Sequence, residues 1–163
     1  MPGAADTLLA LLKGQWSFSR SLVHKTGDKF TVAGTCSWAP AGAATADGVL
    51  HFEERGRMLR GDAFVAEVRQ AHTWHLRGGP LRAEVHFSDG RFFHGVEFPA
   101  LVPGAVARCA HDCPPDTYEG ELALVAPRPG EGGPLALEVA WRVTGPEKDY
   151  TSRTRMWREG GGA

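Results

Sequence analysis

Apolar and polar residues alternate with a period of two along most of this chain, which is the spacing of strands with one buried face. The pattern begins at Trp16 and Phe18 and is clearest at Val85 and Phe87. Turn residues separate the alternating runs, as in the Ser-Asp-Gly segment at 88–90. We count nine or ten such runs, joined mostly by short connections.

A helical spacing of leucines precedes the first alternating run. It consists of Leu8, Leu9, Leu11 and Leu12. The spacing predicts a helix over about residues 6–13, with Asp6 or Thr7 capping its start and Gly14 ending it. A helix this short is not stable alone, so we expect it to dock on the strands.

Sequential hairpins favour an antiparallel up-and-down sheet, whose edges are best hidden when the sheet closes on itself. The sequence therefore predicts an all-β, lipocalin-like (calycin) barrel of about eight to ten strands with a short N-terminal helix. Such a barrel has an interior wide enough for side chains or for one small ligand. We expect residues 1–163 to form a single domain, with a disordered Gly-rich tail at 159–163.

Charge, hydropathy and cysteine content exclude several classes of function. The formal net charge is −1, which gives no general attraction to nucleic acid or to an anionic membrane. No apolar run approaches the ~20 residues of a membrane helix, and the N-terminus lacks the features of a signal peptide. Cys36, Cys109 and Cys113 are odd in number, which favours a reducing compartment. We expect a cytoplasmic monomer or homodimer with no nucleic-acid partner and no membrane span.

The segment Gly14-Gln15-Trp16 follows the predicted helix and opens the first strand. It resembles the Gly-x-Trp signature of lipocalins and related calycin barrels. In that superfamily the Trp packs at the closed end of the barrel under an Arg from the last strand. The resemblance implies this role for Arg158, with Arg155 as the alternative, and a cation–π contact explains the pairing.

A longer set of fragments is similar to a domain-of-unknown-function family of small, stand-alone calycin-like barrels. The fragments are Gly14-x-Trp16 with Arg20, Glu54-x-Gly56, Asp89-Gly90-Arg91 with His94, His111-x-Cys113-x-x-Asp116-x-Tyr118, and Gly145-Pro146-x-Lys148-Asp149-Tyr150. The family tends to carry an Arg and a Tyr near Gln70 and His72, where this chain departs from it. The resemblance implies the fold and no activity.

Three polar residues fall on faces that should point into the barrel. His94 shares its face with Phe92 and Val96, while Arg20 and Glu54 alternate with large apolar residues. A buried Arg or Glu is costly unless paired, so an interior Arg20–Glu54 ion pair is one hypothesis. Such a pair would either be purely structural or orient a polar group of a ligand. His94 is either a hydrogen-bonded core histidine or a group that contacts a ligand.

These faces predict a ligand site with a mostly apolar wall and few polar groups. The predicted ligand-binding residues are Arg20, Glu54, His72, Trp74, His94, Trp141 and Tyr150. Fatty acids, isoprenoids, tetrapyrroles and aromatic metabolites all fit this description. No cofactor is required, and haem bound through His94 or His111 is a special case that a Soret band would reveal.

The Cys109–Cys113 segment does not predict a metal site. Cys109, His111 and Cys113 would share one face, but the two cysteines lie roughly 13 Å apart along a straight strand. A zinc ion needs both thiolates at ~2.3 Å, so we predict no metal. His111, Asp116 and Tyr118 are instead expected to form a polar cluster at a barrel rim.

Three functional hypotheses follow. The first is a barrel that binds a small apolar or amphipathic molecule in its interior. The second is a metal-independent isomerase, hydratase or lyase that uses His94, His111, Asp116 or Tyr118 as acid or base. The third is a solid barrel that binds a protein partner through its surface.

Lys148 lies in the predicted turn before the last strand. It forms either a solvated surface pair with Asp149 or a contact to an anionic ligand at the barrel mouth.

Overall fold

The computed structural model of this chain describes residues 7–41 and 48–161. These residues form one helix and ten strands: α1 (Leu8–Leu12), β1 (Gly14–His24), β2 (Lys29–Pro40), β3 (Val49–Arg60), β4 (Ala63–His75), β5 (Arg82–Phe87), β6 (Phe92–Glu97), β7 (Val106–Cys113), β8 (Asp116–Val125), β9 (Glu131–Thr144) and β10 (Asp149–Glu159). All ten strands belong to one antiparallel sheet. The predicted all-β fold with a short N-terminal helix is confirmed.

The sheet closes where the first and last strands meet, because β1 pairs with both β2 and β10. The strand order is β6-β5-β4-β3-β2-β1-β10-β9-β8-β7, so β6 and β7 are the two edges. These edges face each other through side chains, and the ring centroids of Phe93 and His111 lie 5.2 Å apart across them. The barrel is therefore nearly closed, with a seam between β6 and β7 that side-chain packing covers.

Helix α1 is shorter than the 6–13 prediction because the chain leaves helical geometry at Lys13 to enter β1. Thr7 caps the helix as predicted, its hydroxyl accepting a hydrogen bond from the Ala10 amide at 3.1 Å. Asp6, the other candidate cap, lies outside the described residues. Leu8, Leu11 and Leu12 are buried in the core, so the helix fills one end of the barrel. No helix in the described part of the chain has the length and apolar character needed to cross a membrane.

Trp16 and Arg158 join α1 to the barrel. The Trp16 indole N–H donates to the Leu12 carbonyl at 2.9 Å, and the Arg158 guanidinium lies 4.5 Å from the centre of the Trp16 ring. Arg158 also donates to the carbonyls of Leu11 at 2.8 Å and Lys13 at 2.6 Å. The predicted Trp16–Arg158 contact is therefore confirmed, and it holds the C-terminal end of α1 as well.

The position next to this contact, residue 14, favours glycine for two reasons, one conformational and one steric. Its φ of +116° is unfavourable for residues with a side chain. A Cβ atom at this position would lie only 2.7 Å from Nη1 of Arg158. Arg155, the alternative partner for Trp16, instead binds Glu131 at 2.6 Å and Glu138 at 3.2 Å.

Strand β10 extends into the segment 159–163 that we expected to be disordered. Glu159 pairs with Glu131, and the Gly160 amide donates to the Gly130 carbonyl at 3.2 Å. The sheet therefore orders the start of this Gly-rich tail, because the tail continues the β10–β9 pairing to the first residue of β9 and to Gly130 before it. Residues 162 and 163 lie outside the described part of the chain.

A bulge in the β5–β6 ladder changes which residues of β6 face inward. Val85 pairs with His94 and His86 pairs with Phe92, so Phe93 is an extra residue in β6. Phe93 and His94 are consequently both buried, whereas Phe92 is 54% exposed. The prediction that Phe92 faces inward was wrong, because strict alternation does not survive a bulge.

We expect Arg158→Ala to lower the free energy of unfolding by about 3 kcal/mol, because it removes two carbonyl hydrogen bonds and the contact with Trp16. Arg153→Ala is the matched control, since Arg153 is an exposed arginine on the same strand, and its effect should stay within about 0.5 kcal/mol. Urea unfolding measures both. Equal effects of the two substitutions would contradict the proposed role of Arg158.

Candidate ligand cavity

The barrel encloses a cavity of about 290 Å³. Its wall is mostly apolar and aromatic, with a small number of polar groups. All seven residues predicted to bind a ligand line it: Arg20, Glu54, His72, Trp74, His94, Trp141 and Tyr150. Of the proposed acid–base residues, His94 and Tyr118 line it, whereas His111 and Asp116 do not. The interior therefore contains a cavity, whereas the third hypothesis required a solid interior.

Arg20 and Glu54 form the hypothesised ion pair in the cavity wall. Nη1 and Nη2 of Arg20 donate to the two carboxylate oxygens of Glu54 at 2.8 and 2.7 Å. Nε of Arg20 donates to the Thr154 hydroxyl at 2.7 Å. Glu54 is 1% exposed and Arg20 15%, so the two charges balance each other away from bulk water.

His94 is a neutral imidazole at the cavity wall. Its Nδ1 lies 3.2 Å from the Gly95 carbonyl, which can only accept, so Nδ1 carries the proton and Nε2 keeps a lone pair. Burial lowers the pKa of His94 to about 4, with further lowering from His72 and His111. The imidazole packs against Trp141, with ring centroids 5.3 Å apart.

His72 and Tyr150 add further uncharged polar groups to the wall. Burial lowers the pKa of His72 and raises the pKa of Tyr150, so both favour their neutral forms at neutral pH. The His72 ring stacks on Phe52 with a centroid distance of 6.0 Å. These residues therefore offer hydrogen-bonding groups without adding charge.

Trp38 and Trp74 stand at the end of the cavity near α1, since Trp38 pairs with Gly14 in the β1–β2 ladder. Their ring centroids are 5.7 Å apart at an interplanar angle of 88°. The indole N–H of each is buried and has no hydrogen-bond partner among the described residues. Our sequence analysis missed Trp38, although it shares the inward face of β2 with Val32 and Cys36.

Phe93 is another cavity residue that sequence reasoning missed. Its ring stacks on Trp141 at 5.4 Å and on Phe87 at 4.5 Å, and it also contacts His111 across the β6–β7 seam. The bulge turns Phe93 inward, and period-two reasoning carries no signal for a bulge. One aromatic stack thus serves both as cavity wall and as cover for the seam.

The predicted rim cluster has a different composition from the one we expected. Nζ of Lys148 donates to the Tyr118 hydroxyl at 3.1 Å and lies 3.3 Å from a carboxylate oxygen of Asp116. These contacts raise the pKa of Lys148. His111 packs against the Tyr118 ring, with centroids 5.8 Å apart, and makes no hydrogen bond to it. Lys148 replaces His111 because the β9–β10 turn brings it over Tyr118.

This cluster lies at the end of the barrel opposite α1. Tyr150 pairs with His24, the last residue of β1, whereas Gly14 begins β1 beside the helix. Tyr118 therefore contributes to the cavity wall far from the Trp38 and Trp74 indoles. Because its oxygen accepts from Lys148, the hydroxyl proton of Tyr118 is free to be donated elsewhere.

The cysteines of β7 do not gather ligands for a metal. Burial raises the pKa of Cys109 to about 12, and a protonated thiol is a poor metal ligand. Both cysteines are free: Cys113 is exposed and Cys109 is half-buried. The described ranges contain no group of three or more His, Cys, Asp or Glu side chains placed to hold one ion.

Replacing Glu54 alone should be costly, because it leaves the Arg20 charge unpaired inside the barrel. We expect Glu54→Leu to lower the free energy of unfolding by about 3–5 kcal/mol. Adding Arg20→Met to that variant should recover much of the loss, since no lone charge then remains buried. Glu53→Ala on the exposed side of the same strand should cost less than about 1 kcal/mol. A double variant as unstable as Glu54→Leu would show that the pair is more than two mutually neutralising charges.

The neutral state of His94 predicts that stability falls in acid. Unfolded His94 gains a proton near its ordinary pKa of 6.5, whereas folded His94 resists protonation until about pH 4. The unfolded chain therefore binds more protons between these values, and the free energy of unfolding falls as pH falls through them. The loss due to this group should reach about 3 kcal/mol near pH 4.

Urea unfolding of the wild type and of His94→Gln over this pH range measures that contribution. The variant keeps a neutral polar side chain and should lose less stability between pH 6.5 and pH 4 than the wild type. The other titrating groups, His72 among them, are common to both proteins. Parallel pH profiles would contradict the assignment to His94.

Comparison with known proteins identifies the fold and the family. The S-type phycobiliprotein lyase CPES from Guillardia theta has a similar structure, with a TM-score of 0.59 over 94% of this chain and 92% of that chain. The two sequences are 8% identical, so this likeness concerns the fold alone. No curated protein matches the chain. A family of unknown function (DUF6314) matches residues 12–158, which include both Trp16 and Arg158, and the chain belongs to that family.

Proposed function

We propose that this protein binds a small, mostly apolar molecule inside its barrel. The observation that carries the proposal is the internal cavity of about 290 Å³, with an aromatic wall and a few oriented polar groups. Ligand pockets usually have this character, and their volumes run from about 300 to 1,000 Å³. A volume just below that range favours a compact aromatic or short isoprenoid molecule over a tetrapyrrole.

The difference between the two ends of the barrel suggests at which end a ligand enters the cavity. Helix α1, Trp16 and Arg158 fill one end with packed apolar groups and hydrogen bonds. The other end carries the exposed Lys148 and its contacts with Asp116 and Tyr118. A ligand would enter past this polar rim. The free cysteines support a reducing compartment such as the cytoplasm as the place of action.

A second candidate function is acid–base catalysis on the bound molecule, without a metal. The contact from Lys148 to the Tyr118 hydroxyl favours it, because that contact orients the phenol and leaves its proton available to a ligand in the cavity. His94 offers an unprotonated Nε2 on the same wall. Haem ligation by His94 or His111 stays a hypothesis, to be tested by the Soret region of the absorption spectrum.

Binding in the cavity can be tested with N-phenylnaphthylamine, an uncharged apolar dye whose fluorescence rises in dry sites. We expect saturable binding by the full chain. Val139→Trp should weaken binding at least tenfold, because Val139 lines the cavity and the larger ring would occupy it. Ala140→Trp is the matched control, since its side chain points to the opposite face of β9 and does not line the cavity.

Equal binding by the wild type and Val139→Trp would place the dye outside the cavity and count against the proposal. Thermal unfolding of both variants verifies that each folds. Native mass spectrometry of the protein from its own host would then name the natural ligand. With that molecule in hand, unchanged turnover in Tyr118→Phe would exclude the acid–base role of the phenol.

A further inference from the structure

One patch of the cavity wall carries hydrogen-bond donors that the protein itself leaves unused. The patch consists of Arg20 on β1 and Ser152 on β10, which both line the cavity. In the β1–β10 ladder Arg20 pairs with Thr154 and Ser152 pairs with Leu22, so the two residues are diagonal neighbours on the inward face. A long side chain reaches across such a diagonal. We call Arg20 and Ser152 the donor patch.

The guanidinium of Arg20 has N–H bonds without acceptors. Its Nε donates to Thr154, and each Nη donates to one carboxylate oxygen of Glu54. Each Nη carries two N–H bonds, so one on each remains unpaired among the described residues. The Arg20 side chain is 15% exposed from its place in the cavity wall, whereas Glu54 is 1% exposed. The cavity therefore meets the donor side of this ion pair rather than its acceptor side.

The Ser152 hydroxyl is a second polar group without a partner. Ser152 is only 7% exposed, and its hydroxyl makes no hydrogen bond to another described side chain. The described side-chain atoms that lack both a partner and open surface are the indole nitrogens of Trp38 and Trp74, and Oγ of Ser152 is not among them. Because Ser152 lines the cavity, the open surface of its hydroxyl faces the cavity. A hydroxyl can donate to the same oxygen that a guanidinium binds.

The charges around the donor patch limit the group that can bind there. Among the described wall residues Arg20 is the one permanent cation, and Glu54 already neutralises it through two hydrogen bonds. Burial lowers the pKa of both His72 and His94, so neither supplies positive charge at neutral pH. A ligand carboxylate would place a second anion beside Glu54 in a site of low polarity, which is unfavourable. An uncharged oxygen meets no such repulsion.

Resting on the binding function proposed above, we propose that the ligand is an uncharged apolar molecule with an acceptor oxygen, such as that of a ketone or ester, which accepts hydrogen bonds from Arg20 and Ser152. The rest of the molecule packs against the aromatic residues of the same cavity, Phe93 and Trp141 among them. Glu54 then has a role beyond charge balance, because it holds the guanidinium in place for the ligand. This arrangement excludes fatty acids in their ionised form.

Three naphthalene derivatives of nearly equal shape test this proposal. Methyl naphthyl ketone has the neutral acceptor, isopropenylnaphthalene replaces the oxygen with a CH₂ group, and naphthoate replaces the ketone with a charged carboxylate. We expect the full chain to bind the ketone about tenfold more tightly than the alkene, which is the usual size of one net hydrogen bond. Naphthoate should bind at least tenfold more weakly than the ketone.

Two variants locate the hydrogen bonds. The double variant Arg20→Met with Glu54→Leu removes the guanidinium without leaving a lone buried charge, and Ser152→Ala removes the hydroxyl. Each should reduce the preference for ketone over alkene at least threefold. Arg153→Met and Ser21→Ala are the matched controls, because neither residue lines the cavity, and both should keep the full preference.

Infrared spectroscopy of the bound ketone, labelled with ¹³C at its carbonyl, reports on the same contacts without relying on affinity. A hydrogen bond to the oxygen weakens the C=O bond, so the carbonyl stretch should lie at a lower wavenumber in the wild type than in hexane. The stretch should move back toward the hexane value in the double variant and in Ser152→Ala. The wild-type spectrum and the wild-type ratio of dissociation constants test the proposal even if a variant fails to fold.

The outcomes separate this inference from the binding function itself. Equal binding of ketone and alkene, tightest binding of naphthoate, or an unchanged preference in both folded cavity variants would overturn the inference and leave the cavity as a binding site. Failure of all three probes while N-phenylnaphthylamine still binds would also overturn it. Failure of that dye as well would overturn the proposed binding function.

Discussion

A barrel of ten strands is wider than its own inward-facing side chains can fill. Most features of this protein follow from the need to fill or line that extra space. Eight strands already leave an interior that side chains just occupy. Here the leucines of α1 and the Trp16 ring fill one end of the wider barrel. Arg158 holds this plug by hydrogen bonds to α1 carbonyls and by its contact with Trp16. The space that the plug does not reach is the cavity.

A closed interior of low polarity requires every charge within it to be matched. Arg20 and Glu54 come from strands separated by β2, and their side chains meet across that intervening strand. Thr154 from β10 satisfies the remaining Arg20 Nε. The result is a mostly apolar wall whose buried charges cancel, which suits an apolar ligand better than an ionic one.

The β6–β7 seam shows how the site and the fold depend on the same residues. Backbone pairing ends at these edges, so aromatic packing must exclude water there. The bulge in β6 brings Phe93 inward, where it stacks on Trp141 and contacts His111 of β7. The rings that cover the seam are thus also the rings that line the cavity. Changes to the ligand wall at Phe93 would therefore affect barrel closure as well.

Local patterns in the sequence determined the strands and the inward direction of Arg20 and Glu54, because period-two alternation can be read over a few residues. The contact between Trp16 and Arg158 was instead expected from the resemblance of Gly14-x-Trp16 to the lipocalin signature. The tertiary structure alone decided that Lys148 rather than His111 binds Tyr118, that Phe93 faces the cavity, and that Trp38 lies beside Trp74. Register, bulges and the place of the seam depend on pairing between residues distant in sequence, because each is set by partners on neighbouring strands.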